Sequence, residues 1–192
     1  MNKDVPILYK ILRPIVKPIF LLYYNPKIIN KEYIPKDGSI LIVGNHIHLF
    51  DQCVPIICFK RGIHYMAKKE YFDNVFTRWF FKGTGCISVD RKSKDKDAVS
   101  SALSVLNDGG AIGIFPEGTR NRTSDKLLPF KFGAVSLAKK SDSYIVPFGI
   151  SGKYKINGGL TVRFGKPFKV GSSTLEDANK RLYDEILSLM EE

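Results

Sequence analysis

Ser39-Ile-Leu-Ile-Val-Gly44 runs directly into Asn45-His-Ile-His-Leu-Phe-Asp51, and the join between them decides the fold. The first half is a short, continuous apolar run that ends in Gly. Such a run reads as a strand buried on both faces, central in its sheet. The second half is polar and carries two imidazoles and a carboxylate. Working outward, Ala111-Ile-Gly-Ile-Phe115 is a second apolar run, stopped by Pro116, and Tyr144-Ile-Val-Pro-Phe-Gly-Ile150 is a third. Gly85 to Val89 is a weaker fourth. Leu160 to Phe164 alternates apolar with polar residues and suits an edge or half-exposed strand.

Helical patterns fill the intervals. Asp97 to Leu106 places apolar side chains at Ala98, Ala102, Leu103, Val105 and Leu106, then stops at Asn107-Asp-Gly-Gly110. Phe132 to Lys140 ends in Lys139 and Lys140, which suit the negative end of a helix dipole. The C-terminal segment opens on Ser173-Thr-Leu-Glu176, a capping-box pattern, before a stripe of Leu175, Ala178, Leu182, Ile186 and Leu189. Strands alternating with helices predict an α/β fold: a single domain with a central mixed, largely parallel sheet flanked by helices. Ligands of such sheets gather at the carboxyl ends of the strands, so the residues just after the apolar runs are the ones to inspect.

The chain has 192 residues, 44% of them hydrophobic and 26% charged, which suits one folded domain rather than a disordered tail. Thirty Lys and Arg against 19 Asp and Glu give a net charge of +11, which calls for an anionic partner. Nucleic acid, an anionic membrane and a phosphorylated substrate all qualify on charge. No RNA-recognition, zinc-finger or helix-turn-helix signature is present, and the aromatics do not interleave with the cations as a stacking surface needs, which argues against nucleic acid. Cys53, Cys58 and Cys86 are odd in number and form no CxxC pair, so neither a disulfide framework nor a four-Cys zinc site is expected, and a reducing compartment is the default.

Residues 1–28 form a separate segment ahead of a domain spanning 29–192. Lys10, Arg13 and Lys17 interrupt the apolar run Met1–Tyr24, so a spanning helix is disfavoured, and no small-residue cleavage site follows as a secretory signal requires. On a helix these three cations share a face, and Ile7, Leu8, Ile11, Leu12, Ile15, Ile19 and Leu22 fill the rest. A basic, amphipathic helix with aromatics at its end suits the surface of an anionic bilayer, with Lys10, Arg13 and Lys17 facing the headgroups. Pro14 and Pro18 predict a kinked or two-piece helix.

His46 and Asp51 lie five residues apart. In a regular helix that spacing turns them about 140° away from each other. They meet only if the chain turns between them, and a strand–loop–helix junction provides that turn, with Gly44 ending the strand and Pro55 near the start of a helix. A carboxylate on one imidazole nitrogen fixes the tautomer and leaves the other nitrogen as a base. No Gly-x-Ser-x-Gly elbow supplies a nucleophile, so the substrate's own hydroxyl must serve. Two other readings remain open here. His46 and Asp51 could simply cap a helix, or His46, His48 and Asp51 could ligate a metal in a hydrolase. His64 is the only other His, and no second His/Cys cluster completes a metal site.

After the Ala111–Phe115 run comes Pro116-Glu-Gly-Thr-Arg-Asn121, and after Val89 comes Asp90-Arg91. Gly118 permits close backbone approach, Thr119 offers a hydroxyl, and Arg91 and Arg120 offer planar donors. This is suitable chemistry for a phosphate monoester beside a hydroxyl.

These blocks resemble the glycerolipid acyltransferase family, most closely its bacterial 1-acylglycerol-3-phosphate (lysophosphatidate) acyltransferases. His-x4-Asp at His46–Asp51, Gly85-Cys-Ile-Ser-Val-Asp90-Arg91, Phe115-Pro-Glu-Gly-Thr-Arg-Asn121 and Ile145-Val-Pro-Phe-Gly-Ile150 occur in the family's order. Ala67-Lys-Lys-Glu70 and Phe130-Lys-Phe-Gly133-Ala134 look like the stretches between them. His48 stands where the family often has Ser, and Tyr71 where it often has Leu. The resemblance implies that His46, oriented by Asp51, is the general base for acyl transfer from an acyl thioester (acyl-CoA or acyl-acyl carrier protein) to the hydroxyl of lysophosphatidic acid, giving phosphatidic acid. It also implies an acceptor site in which Arg91 and Arg120 hold the phosphate, Gly118 and Thr119 stabilise the oxyanion or orient the acceptor, and Glu117 orients the loop or a hydroxyl, with Lys68 and Lys69 as candidate contacts to the donor or a phosphate. It implies no cofactor and no metal, and a peripheral or monotopic place on the cytoplasmic face of the inner membrane. Glycerol-3-phosphate or another lysolipid is the alternative acceptor.

Overall fold

Ile40, Leu41, Ile42 and Val43 are all fully buried, as a strand is only when it is flanked on both sides and covered on both faces. In the computed structural model, which describes residues 6–90, 95–156 and 158–191, the elements run α1 (Ile7–Tyr24), β1 (Lys27–Ile29), β2 (Ile40–Gly44), α2 (Cys53–Cys58), β3 (His64–Lys68), α3 (Val75–Gly83), β4 (Ile87–Val89), α4 (Lys96–Asn107), β5 (Ala111–Ile114), α5 (Gly133–Ser141), β6 (Tyr144–Ser151), β7 (Thr161–Phe164) and α6 (Leu175–Glu191). One sheet takes the order β1-β7-β6-β2-β5-β3-β4, with β2 at its centre. Every pairing is parallel except β6 with β7. The expected α/β architecture with a mixed, largely parallel sheet is the one found.

The two-residue period of β2 divides the core. Leu41 and Val43 point to a layer built with Ala102 and Leu106 of α4, Leu137 of α5, and Leu182 and Ile186 of α6. Ile40 and Ile42 point the other way, to Phe20 of α1 and Val54 and Ile57 of α2. The parallel register aligns Val43 with both Ile114 and Pro147, so the carboxyl ends of β2, β5 and β6 lie side by side. Gly44 is the residue that permits this. A Cβ there would stand 2.4 Å from the ring of its ladder partner Phe148.

Several local expectations change. The alternating Leu160–Phe164 segment forms β7, half-exposed as its pattern suggests, but the edge of the sheet is β1. Helix α6 is capped one residue later than the quoted box: Asp177 N donates to Thr174 Oγ1 at 3.0 Å, and that hydroxyl donates to the Asp177 carboxylate at 2.7 Å. The N-terminal segment is one helix through Pro14 and Pro18, not two pieces. Both prolines sit on its exposed side, away from the packed face. Arg13 corrects the expectation of a headgroup-facing cation. Its guanidinium turns onto the protein and donates to the carbonyls of Ile56 and Phe59 at the end of α2. Buried Tyr9 and Phe20 also face inward, Lys17 is half-buried, and Lys10 is exposed. The outer side of α1 is apolar: Ile7, Ile11, Ile15, Ile19 and Leu22 are all exposed, Leu22 by 89%. Among the described residues no helix is long and apolar enough to cross a membrane.

Candidate active site

The loop after β2 begins with Asn45, whose buried amide extends the strand ladder by one step. Its Nδ2 donates to Ile150 O at 2.9 Å and its Oδ1 accepts from Ile150 N at 2.7 Å. The next residue, His46, is fixed through its backbone. His46 N donates to Glu117 Oε1 at 2.7 Å, and His46 O accepts from Asn121 N at 2.7 Å. The loops after β2 and β5 are thereby tied together before any side chain of the pair is considered.

The chain then turns, and the turn makes the His–Asp pair. Asp51 N donates to His48 O at 3.3 Å, which brings the carboxylate back under the loop. Asp51 Oδ2 receives His46 Nδ1 at 2.7 Å, Ile47 N at 2.6 Å and His48 N at 2.7 Å. Asp51 is wholly buried, whereas the His46 side chain keeps 18% of its surface. With Nδ1–H given to the carboxylate, Nε2 is the nitrogen left with a lone pair. The imidazole also stacks on Phe115, with ring centroids 4.3 Å apart and planes at 18°. His48 does not join the pair as a metal ligand would. Its ring stacks on Tyr154 instead, and its Nδ1 accepts from Phe50 N at 3.3 Å. Among the described residues no three His, Cys, Asp or Glu side chains gather as a metal site.

His46 opens onto a groove of about 2270 Å³, well beyond the 300–1,000 Å³ typical of a compact ligand pocket. Gly118, Thr119, Arg120 and Lys131 line it with His46. It continues over apolar side chains: Leu12 and Val16 of α1, Tyr65 and Met66 of β3, Phe80 and Phe81 of α3, and Val99 and Leu103 of α4. Gly118 has a φ of +71°, a conformation that strains other residues, in the turn that carries Thr119 and Arg120 into the groove.

Glu117 is expected in the acceptor site, orienting the loop or a hydroxyl. It is 4% exposed and does not line the groove, and its two oxygens accept from His46 N and from Leu128 N at 3.0 Å. Burial pushes its carboxyl up, partly offset by those two backbone donors. Its work is to brace the loops. Lys68 lines the groove beside Glu70 at 3.9 Å, whereas Lys69 lies outside it, 3.9 Å from Asp90. Arg91 lies outside the described residues.

The sequence profile of the acyltransferase family matches residues 25–151, which include both braced loops and the His46–Asp51 pair. The chain belongs to the acyltransferase family. A 1-acyl-sn-glycerol-3-phosphate acyltransferase of Bacillus subtilis is 34% identical over 148 residues, 76% of this chain and 72% of that protein. One from Borreliella burgdorferi is 36% identical over 118 residues, 60% of this chain and 47% of that protein, so the chain spans about half of its length. The crystal structure of the 1-acyl-sn-glycerophosphate (LPA) acyltransferase PlsC from Thermotoga maritima shares the fold, with a TM-score of 0.73 at 22% identity over 94% of this chain and 77% of that one.

This acyltransferase also uses residues that sequence reasoning passed over. Asn45 and Phe115 open quoted blocks but had no assigned role. Lys131 sat inside a quoted stretch without being named as a ligand. Tyr154 donates its hydroxyl to Asp51 Oδ1 at 2.6 Å from 103 residues away. Reading past the end of the third apolar run, as was done for the other runs, would have reached it.

Proposed function

We propose that this acyltransferase moves a fatty acyl group from an acyl thioester, acyl-CoA or acyl-acyl carrier protein, to the free hydroxyl of 1-acylglycerol-3-phosphate, giving phosphatidic acid. The observation that carries this is the His46–Asp51 pair opening onto a large groove that Arg120 and Lys131 line together with many apolar side chains. His46 Nε2 accepts the proton of the acceptor hydroxyl as that oxygen attacks the thioester carbonyl. An alcohol is a far weaker acid than imidazolium, so proton transfer accompanies the attack. The tetrahedral oxyanion then collapses, the C–S bond breaks, and the imidazolium returns its proton to the departing thiolate. General-base help of this sort supplies about 10²–10⁴-fold. Asp51 holds the imidazole in its tautomer and stabilises the imidazolium. The thioester is already activated, so the chain's own residues suffice for this step, with no cofactor.

Arg120 and Lys131, with Thr119 and the Gly118 backbone, bind the acceptor phosphate, and Arg91 joins them as a second guanidinium. Lys68 meets the donor or a phosphate at the groove rim. The apolar length of the groove favours an acceptor or donor with a long tail, and so a lysolipid over glycerol-3-phosphate. The likeness to relatives named as 1-acyl-sn-glycerol-3-phosphate acyltransferases supports the same acceptor.

The enzyme works at an anionic membrane surface, on the cytoplasmic face of the inner membrane. The exposed isoleucines of α1 support this, with Lys10 and Lys17 on the flank of that face. So does α3, which packs beside α1 and exposes Val75, Phe76 and Trp79 by 71%, 84% and 67%. Large apolar side chains in such number are unusual on a surface that meets only water. A panel of lysophospholipids and glycerol-3-phosphate, each with acyl-CoA and acyl-carrier-protein donors, tests the assignment. Turnover should be highest with lysophosphatidate; turnover only with glycerol-3-phosphate would replace the acceptor.

A further inference from the structure

Asp51 has two carboxylate oxygens with unequal tasks. Oδ2 faces three donors from its own loop: His46 Nδ1, Ile47 N and His48 N. Among the described residues Oδ1 has one donor, the Tyr154 hydroxyl at 2.6 Å. Asp51 is fully buried, so water does not replace that donor. Tyr154 lies in the turn between β6 and β7, and no other described residue of that turn bonds to the pair. Its ring is held from several sides. The His48 imidazole stacks on it with centroids 4.3 Å apart and planes at 17°, while Tyr24 and Phe20 of α1 meet it edge-on at 5.4 and 6.3 Å.

We propose that Tyr154, clamped by the His48 ring, is a positioning residue that fixes the plane of the Asp51 carboxylate and so aims His46 Nε2 into the groove. A carboxylate anchored through one oxygen rotates about Cβ–Cγ. Anchored through both, it keeps Oδ2 on the line of the His46 Nδ1–H bond. The hydrogen bond also draws charge away from Oδ2 and sets how strongly the carboxylate pulls on the imidazole proton. His48 thereby has a task that a Ser at the same position could not perform, because a hydroxymethyl group offers no face to stack on. The inference concerns the geometry of the pair and rests on the proposed function only for its kinetic readout.

The titratable groups facing the pair are Glu117 from the loop after β5, Cys53 from α2, His48 from the same loop and Tyr154, with Tyr24 of α1 behind Tyr154. Burial pushes the Cys53 thiol up to about 11, and burial together with the charge of Asp51 holds the Tyr154 phenol well above its ordinary value. Tyr154 therefore remains a donor across the working range of pH.

Tyr154→Phe keeps the ring and removes only the donor. It should lower kcat about 10- to 100-fold, the range for a lost hydrogen bond to a charged group, while KM for both substrates stays within about twofold. The acid limb of kcat/KM should move to higher pH, because an Asp51 without its second donor pulls harder on the imidazole proton. A readout independent of any substrate is the downfield NMR resonance of the His46 Nδ1–H proton, which should shift and broaden. His48→Ala should produce the same changes in milder form, and His48→Phe, which restores a stacking face, should reverse them. Wild-type kcat, acid limb and Nδ1–H resonance in Tyr154→Phe would overturn the proposal. If Tyr154→Phe does not fold, the His48 variants decide: loss with Ala and recovery with Phe supports the proposal, and a wild-type resonance with Ala refutes it. A wild type inactive across the lysolipid panel would break the functional reading instead, and the resonance would still decide the role of Tyr154.

Discussion

The carboxyl end of the sheet and the α1–α3 flank treat their side chains in opposite ways. At the sheet end, polar groups are buried and each has a partner: Asn45 on Ile150, Glu117 on two backbone amides, Asp51 on four donors. On the flank, large apolar groups lie in the open, from Ile7 to Leu22 on α1 and from Val75 to Phe80 on α3. Buried polar networks are costly when incomplete, so the first region is built to hold one geometry. Exposed apolar faces are costly in water, so the second is built to be covered. The two meet in the groove, which His46 lines together with side chains of α1 and α3. The enzyme places its buried polar network beside an exposed apolar surface.

This contrast can be broken from either side. The largest effect belongs to the rigid end. Asp51→Asn keeps the shape but removes the negative charge and one acceptor oxygen, so His46 loses the group that fixes its tautomer and stabilises the imidazolium. It should cut kcat by about 10³-fold or more in the acyl-transfer assay and lower the melting temperature as well. Next, Ile11→Glu with Ile15→Glu on the outer side of α1 should weaken binding to anionic vesicles by at least about 100-fold in a sedimentation assay, since each buried Ile contributes roughly 1.5–3 kcal/mol. The fold and the turnover of a short-chain, water-soluble acceptor should survive. Equal vesicle binding by the double variant would remove α1 from the membrane surface. Arg120→Ala should raise the KM for a phosphorylated acceptor about tenfold with little change in kcat, and an unchanged KM would take Arg120 out of the phosphate site.

The smallest effect on turnover concerns Cys53 and Cys58. Burial pushes the Cys53 thiol up to about 11 and the Cys58 thiol up to about 12. Raised thiols favour the folded state fully below the ordinary thiol range of about 8.5, and that contribution is lost as pH climbs through 11 and 12. Native protein at pH 8 should therefore alkylate at Cys53 and Cys58 orders of magnitude more slowly than unfolded protein, and thermal stability should decline on the alkaline side.

The legibility of the sequence follows the same division. Strands β2, β5 and β6 are continuous apolar runs because both of their faces are covered, so they were readable as strands. Helices α4, α5 and α6 have one buried stripe each and were readable by period. β1 has three residues and β3 reads His-Tyr-Met-Ala-Lys, and neither carries a run or an alternation to mark it. α3 was missed because its aromatics face outward, so its pattern does not point at the core. The three cations of α1 share a helical face, as their spacing implies, yet Arg13 finds the free carbonyls of α2, a partner no local pattern shows. In the site, His46 and Asp51 were legible because one turn makes the pair. Glu117 was legible as a residue that orients the loop, but its partners were not, because they are backbone amides, which every residue has. Tyr154 reaches Asp51 only through the long-range closure of β6 on β2.

The central claim is that His46 is the base of an acyl transfer to a phosphorylated lysolipid. The direct measurement is the initial rate of phosphatidate formation from lysophosphatidate and acyl-CoA or acyl-acyl carrier protein, wild type against His46→Ala, with both proteins shown to melt alike. The account predicts robust turnover by the wild type and a loss of at least about 10²–10⁴-fold in the variant. A correctly folded His46→Ala enzyme that retains near-normal turnover would contradict it.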